Sequence, residues 1–369
     1  MTCPKGLSKC LRHEIVLLGF PIKEEGTNFV ATIGTLSDTI RLNLHLRTAH
    51  RVLYLLREFP CRSGDDLYRQ SLDIPWHIYI PSNGYVTIGS SVDHPSVQDP
   101  RYPNLKCKDA IVDRIRKETG CRPNSGPDRH RAAVYIHWHG VTCSIYLDTS
   151  GEALQKRGYR KIPGKAPMQE SLAAACVLIT NWRGHGHIVN PMCGSGTLAI
   201  EATLIGLCRA PGMVRLNFAF MHLVDFPGQT LHAERSAAKA EASKTIDGRI
   251  IVTDHDPKAV DSAWRNATTA GVAHLMEFTV CDFWETEIPE RSGIVLFNPE
   301  YGIRMGDKAN LRSVYREIGT FLKRRCSGYT GVVCTGSGSL AQEIGLNPSL
   351  RIPLLNGKLE CQLLEYAIS

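Results

Sequence analysis

Four short stretches carry polar residues at spacings that suit a single site. The first is Asn190-Pro191-Met192-Cys193-Gly194-Ser195-Gly196-Thr197. Ile188 and Val189 before it read as the end of a buried strand, and Leu198, Ile200, Ala202 and Leu204 after it as the apolar positions of a helix. Such a strand, loop and helix N-terminus point backbone N–H groups at a nucleotide-like ligand, and Gly194 and Gly196 leave no Cβ in its way. The second stretch is Asp254-His255-Asp256-Pro257, closing the apolar run Arg249 to Thr253. A carboxylate at that strand end can accept both hydroxyls of a ribose, a role that suits Asp254. Asp256, one residue before Pro257, suits a helix N-cap. The third is Asp282-Phe283, after the strand Met276 to Val280, and the fourth is Asn298-Pro299-Glu300-Tyr301, at the exit of the strand Ile294 to Phe297. Strands ending in Asn190, Asp254, Asp282 and Asn298 place four polar groups along one edge of a parallel sheet, where open α/β folds bind ligands.

Gly194-Ser-Gly196-Thr-Leu-Ala199 also fits the loose glycine fingerprint of dinucleotide-binding folds. That reading requires an acidic residue at a strand end about twenty residues on. Glu201 falls inside the helix instead, and Asp254 comes far later. The spacing argues against NAD.

Asn-Pro-Met-Cys-Gly-Ser-Gly-Thr followed by Cys208-Arg-Ala-Pro-Gly212 resembles the first motif of class I S-adenosylmethionine methyltransferases, and more narrowly the THUMP-containing RNA methyltransferases. Asn298-Pro299-Glu300-Tyr301 resembles the Asn-Pro-Pro-Tyr tetrapeptide of enzymes that methylate exocyclic amines. With the N-terminal features below, the resemblance covers about residues 5–366.

The resemblance implies an α/β protein: a Rossmann-like class I methyltransferase domain behind an N-terminal α+β ferredoxin-like and THUMP region. S-adenosylmethionine is the implied cofactor, bound by Asn190, Pro191, Cys193, Gly194, Gly196, Asp254, Asp282, Phe283 and Asn298. In this family Asp282 would bond the adenine amino group and Phe283 would cover the ring. The catalytic residues implied are Asn298, Pro299 and Tyr301. The Asn298 side-chain oxygen and the Pro299 carbonyl would hold a base amine with its lone pair toward the sulfonium methyl, while Tyr301 stacks on an extruded base. No metal is required.

Two positions depart from the family pattern. Asn190 stands where Asp is usual, removing a negative charge from the cofactor's ammonium. Glu300 replaces the second proline of the tetrapeptide, placing a carboxylate beside the target amine. The resemblance is closest to bacterial enzymes methylating guanine N2 in 23S rRNA, in the form with a single methyltransferase domain. A tRNA guanine-N2 methyltransferase is the alternative, and a decayed RNA-binding ribosome-assembly protein is a third reading.

The elements that must position these residues are read in chain order. Leu7 to Gly19 reads as a helix, Val30 to Ile33 and Ile40 to Leu46 as strands, Thr48 to Arg57 as a helix, Leu67 to Leu72 as a short helix, and Trp76 to Ile80 and Tyr85 to Val92 as strands. Lys108 to Thr119 is a helix ending at Gly120, and Ala132 to Trp138 with Val141 to Leu147 form a hairpin around His139-Gly140. Ala166 to Trp182 is an apolar helix beside the first catalytic strand, with Glu170 and Ser171 near the methionine end of the cofactor by family analogy. The expected organisation is a ferredoxin-like segment over 1–50, a THUMP RNA-binding domain over 51–154, a basic linker over 155–165 and the methyltransferase domain over 166–369. The linker, Gln155 to Lys165, sets five basic residues around Tyr159, a pattern that suits either phosphate contact with base stacking or a flexible basic connector. Arg351 to Leu355 and Leu359 to Tyr366 close the sheet as an antiparallel pair around Asn356-Gly357.

Charge agrees with an RNA partner. Residues 1–165 hold 24 Lys+Arg against 16 Asp+Glu, so the basic excess sits in the N-terminal half and would draw nucleic acid there first. Thirteen scattered cysteines without zinc spacing read as reduced thiols. No apolar run reaches the roughly 18 residues that span a bilayer, and the N-terminus lacks a signal-peptide core, so a cytoplasmic protein is expected.

Overall fold

The computed structural model describes the 369-residue chain except residues 100, 163–167, 301–307, 337, 357 and 358. The N-terminal segment holds helix α1 (Ser8–Leu17), the antiparallel pair β1 (Ile22–Glu25) and β2 (Val30–Thr32), and helix α2 (Asp38–His45). A five-stranded sheet follows, built from β3 (Leu53–Pro60), β4 (Tyr85–Asp93), β5 (Asn124–Ser125), β6 (Ala132–His139) and β7 (Thr142–Asp148), in the order β3-β7-β6-β4-β5. Helices α3 (Gly64–Leu72) and α4 (Arg101–Thr119) accompany it.

Three sequence expectations in this region are overturned. Ile40 to Leu46, expected as a strand, lies in α2. Asp38, Arg41 and His45 form the outer face of the helix and the other five residues are buried, but Ile40 to Leu46 alternates apolar and polar residues with the period of a strand. Its start was nevertheless encoded: the Thr35 N–H donates to the Asp38 carboxylate (2.7 Å) and the Asp38 N–H to the Thr35 hydroxyl (3.3 Å), a reciprocal cap. Thr48 to Arg57, expected as a helix, instead runs into strand β3, where pairing with β7 overrides the helix preference of its leucines. Trp76 to Ile80, expected as a strand, begins with a 3₁₀ turn (Trp76–Ile78) after Pro75, with the fully buried Trp76 indole donating to the Ser71 carbonyl (2.7 Å).

The C-terminal sheet has seven strands. It contains β8 (His187–Asn190), β9 (Ile250–Asp254), β10 (Met276–Val280), β11 (Gly293–Phe297), β12 (Thr330–Thr335), β13 (Leu350–Asn356) and β14 (Leu359–Ala367), in the order β10-β9-β8-β11-β12-β14-β13. The first five in that order are parallel, and β14 closes the sheet antiparallel to β12 and β13. Gly357 of the expected β13–β14 turn lies outside the described residues. Helices α5 (Glu170–Leu178), α6 (Thr197–Gly206), α7 (Gly228–Glu241), α8 (Pro257–Ala270), α9 (Lys308–Arg325) and α10 (Gly338–Glu343) complete the layers. The α5 helix is shorter than the expected 166–182.

One buried apolar cluster runs without break from Leu7 and Trp76 through Tyr159 and Met168 to Ile188, Ala199 and Leu363. The other face of the sheet has its own core, with Val189, Phe283, Phe297, Tyr315 and Phe321. Among the described residues, no helix is long and apolar enough to cross a membrane.

Candidate active site

The parallel strands bring Asn190, Asp254, Asp282 and Asn298 to one edge of the sheet, as the spacing required. Asn190 is level with Val252 of β9, so Asp254 stands two residues further out, beside Val280 of β10. The loop after β8 folds across that step. The Cys193 N–H donates to the Thr253 carbonyl (2.9 Å), the Gly194 N–H to the Asp254 carboxylate (2.9 Å) and the Cys281 N–H to the Asp254 carbonyl (3.1 Å). Three strand ends are thereby knitted into one rim.

Two glycines in the loop have separate reasons. Gly196 caps α6 at φ +79°, and a Cβ there would lie 2.8 Å from the Ala263 Cβ, so the residue serves close packing against α8. Gly194 has φ +54° with nothing within 4 Å of a Cβ, which leaves its face of the loop open. Cys193 is buried, and burial with the nearby Asp254 carboxylate pushes its thiol up, so it is a packed thiol and not a nucleophile.

The buried Asn190 amide donates to the Leu296 carbonyl (2.8 Å), leaving its side-chain oxygen buried with no partner. Asn298, at the end of the adjacent strand, likewise has a buried, unpartnered Oδ1. Such acceptors are costly unless a ligand meets them. Pro299 is buried and Glu300 exposed. Tyr301 lies outside the described residues. Asp282 caps a short turn by accepting the Trp284 N–H (2.9 Å). Phe283 is 7% exposed and packs edge-on against Phe297 and Phe321. Asp256 is the N-cap of α8, accepting from the Lys258 N–H (2.9 Å) with Pro257 following, as expected.

The reading of the linker as a phosphate-contacting, base-stacking strip is overturned for its central residues. Tyr159 is fully buried, and its hydroxyl donates to Glu201 on α6 (3.0 Å). Arg157 is 1% exposed and pairs with Glu201 (3.4 Å) while donating to the Leu154 carbonyl (2.8 Å). Arg160 pairs with Glu170 (3.2 Å) and donates to the Thr197 hydroxyl (3.1 Å) at the start of α6. Burial raises the Glu170 carboxyl above its ordinary range, an effect that Arg160 opposes. The alternation of charged and aromatic residues suggested a solvated strip because buried and exposed ionic residues look alike in composition.

Two residues that sequence reading missed hold the site in place. Asn266 of α8 is fully buried; its Oδ1 accepts the Lys161 and Ile162 N–H groups (2.9 and 3.1 Å), and its amide donates to the Ser195 carbonyl (3.1 Å). It ties the 160s to the glycine loop. Tyr315 of α9 donates to the Glu300 carbonyl (3.4 Å) and shares a hydrogen bond with the Thr335 hydroxyl (2.9 Å), holding the strand exit. No local motif marks either residue.

Residues 157–365 match the family described as the RMKL-like methyltransferase domain, residues 1–53 the RlmL ferredoxin-like domain, and residues 61–148 the THUMP domain. The chain is 34% identical to the ribosomal RNA large subunit methyltransferase K/L of Syntrophotalea carbinolica, over 100% of this chain and 53% of that protein. It therefore spans about half the length of that relative. A Synechocystis sp. protein that bears the name "Putative RNA methyltransferase slr0064" is 31% identical over 100% of this chain and 96% of its own length. A crystal structure of SMU.472, described as a methyltransferase complexed with SAH, superposes with a TM-score of 0.89 at 26% identity, covering 100% of this chain and 97% of that one.

Proposed function

The chain belongs to the RMKL-like methyltransferase family, and from that premise we propose that it transfers a methyl group from S-adenosylmethionine to the exocyclic N2 amine of a guanine in RNA, with 23S rRNA as the substrate. The observation that carries the reading is the pair of buried, unpartnered acceptors, Asn190 Oδ1 and Asn298 Oδ1, at the ends of adjacent strands beside an open glycine loop. An adenosyl amino acid and a base amine offer the donors that these oxygens lack.

The residues present fit that cofactor. Asp254 stands at the strand end where it would accept ribose hydroxyls in place of the Gly194 N–H, and the N-terminus of α6 would offer N–H groups to the cofactor. Asp282 is exposed and suits the adenine amine. Phe283 contributes a ring edge to the floor of the site. Asn190 offers a neutral acceptor where a carboxylate is usual. S-adenosylmethionine supplies an electrophilic methyl on a positively charged sulfur.

The chain's own residues do the rest. Asn298 Oδ1 and the Pro299 carbonyl accept the two N–H bonds of the target amine and fix its lone pair, so orientation lowers the barrier. Tyr301 stacks on the extruded base. Glu300 is exposed at the same exit, a position from which it can take the proton that the amine loses. RNA is held by the N-terminal half, where the basic excess lies.

The test is transfer of labelled methyl from S-adenosylmethionine to unmodified rRNA and tRNA, followed by nucleoside analysis. N2-methylguanosine in 23S rRNA is the expected product. The same nucleoside in tRNA alone would replace the substrate, and no transfer to either would overturn the reading.

A further inference from the structure

A cavity of mixed polar and apolar lining lies where the N-terminal segment meets the edge strand of the C-terminal sheet. Its volume is 250 Å³, and its lining includes Lys5, Thr27, Asn28, His50, Gln169 and Leu355. It belongs to the same end of the sheet as Asn298. Phe297 is level with Val333 of β12, Thr335 with Gln362 of β14, and Leu355 with Glu360, so Leu355 sits just past the rim on the outermost strand. Three strand spacings separate β13 from β11, about 14 Å. On the other side, Gln169 immediately precedes Glu170, whose partner Arg160 reaches the start of α6.

The walls are built and fixed. A Cβ on Gly6 would come within 2.2 Å of the Pro353 carbonyl oxygen, so the N-terminal segment rests directly on the β13 backbone. The Cys3 N–H donates to the Asn28 carbonyl (2.8 Å) and the Gly6 N–H to the Thr27 carbonyl (3.3 Å). The His50 N–H donates to the Thr2 carbonyl (2.7 Å), and the His50 carbonyl accepts from Leu154 (2.8 Å). Into this frame come the His50 and Gln169 side chains, close enough to each other for Gln169 to favour the charged imidazole, with His50 Nε2 and Gln169 Oε1 buried and outside good hydrogen-bond geometry, while Lys5, Thr27 and Asn28 are exposed at the mouth. Burial, reinforced by Arg51 and Arg157, lowers the imidazole to about 4, so His50 is neutral and presents hydrogen bonds, not charge.

We propose that this cavity is a subsite for an RNA nucleotide flanking the target base, with the His50 and Gln169 side chains bonding the edge of its base and Lys5 its phosphate. The inference rests on the RNA-methylating reading above. A volume below the roughly 300–1,000 Å³ of sites for drug-sized ligands suits one base and not a longer segment. Buried polar atoms outside good hydrogen-bond geometry are the feature that reads a base edge, while a mouth lysine positions the backbone. The ferredoxin-like segment is thereby part of the specificity of the reaction as well as of RNA grip.

The experiment compares the full-length wild type with Lys5→Ala, Thr27→Trp and Gln169→Ala. It measures methyl transfer to unmodified rRNA against salt, S-adenosylmethionine binding by calorimetry, and crosslinking to short RNAs carrying 4-thiouridine on either side of the target. Lys5→Ala should raise the KM for RNA, leave kcat and cofactor affinity unchanged, and flatten the log-log salt dependence by about 0.7. Thr27→Trp, at an exposed position, should fill the cavity and abolish the crosslink. Gln169→Ala should relax the preference for the flanking base. Wild-type values of KM, salt slope and crosslinking in all three variants would overturn the subsite while leaving the methylation reading intact. A wild type that methylates no RNA would overturn the methylation reading and the flanking-nucleotide subsite with it.

Discussion

Glu201→Ala should destabilise the protein more than any other single truncation in α6. Glu201 is fully buried, and one carboxylate oxygen serves both the Arg157 guanidinium (3.4 Å) and the Tyr159 hydroxyl (3.0 Å). Arg47 also gains from this charge. Removing the carboxylate leaves a 1%-exposed guanidinium without its nearest counter-charge. Breaking a buried pair in this way costs about 3–5 kcal/mol. Leaving the Tyr159 hydroxyl without an acceptor adds about 1–3 kcal/mol, and the two losses overlap because they share one oxygen. A total near 5 kcal/mol is expected, comparable with the whole stability of a marginal domain. Arg157→Met/Glu201→Leu should recover part of it, since both charges are gone. The Leu154 and Arg47 carbonyls that Arg157 served and the Tyr159 hydroxyl that Glu201 accepted from would remain unpartnered, so the recovery is partial. Urea unfolding followed by far-UV circular dichroism measures all three proteins. A Glu201→Ala protein within 1 kcal/mol of wild type, or a double variant less stable than the single, would refute the reasoning.

Three further outcomes are expected. Asn298→Ala should abolish methyl transfer with cofactor binding nearly intact, whereas Asp254→Ala should weaken cofactor binding first; calorimetry beside a transfer assay separates them, and equal losses of binding would contradict the division of roles. Gly196→Ala should cost at least the roughly 1–2 kcal/mol of a left-handed non-glycine residue, plus the overlap with Ala263, and lower cofactor affinity; an unchanged melting temperature would count against it. His50, with its folded value lowered from 6.5 to about 4, binds a proton more readily when unfolded, so stability should rise with pH between about 4 and 6.5 and level off above. Urea midpoints across that range should show this rise in the wild type and a shallower one in His50→Gln.

The C-terminal sheet was legible because its central strands β8, β9 and β11 are buried on both faces, so Ile188–Val189, Ile250–Val252 and Ile294–Phe297 appear as short continuous apolar runs with polar residues at their exits. The N-terminal region was less legible. Its helix α2 alternates apolar and polar residues from Ile40 to Leu46 as a strand would, and β3 is composed of residues that favour helices until a partner strand claims them. In the site, the strand-end residues were found from sequence because their positions depend on nearby chain. Asn266, Tyr315 and the Arg157–Glu201 pair were not, because each acts across a separation of at least 15 residues that no local pattern records.

The burial of Tyr159 and Arg157 bears on how such proteins can be taken apart and recombined. A fragment beginning at residue 166 would carry Glu201 into the interior without its cation and leave Asn266 without the peptide groups it binds. The recognition half and the chemical half are therefore not interchangeable cartridges joined by a tether. A chimaera that borrows another protein's N-terminal half must keep residues 157–162 with the catalytic half, and its seam belongs before Arg157.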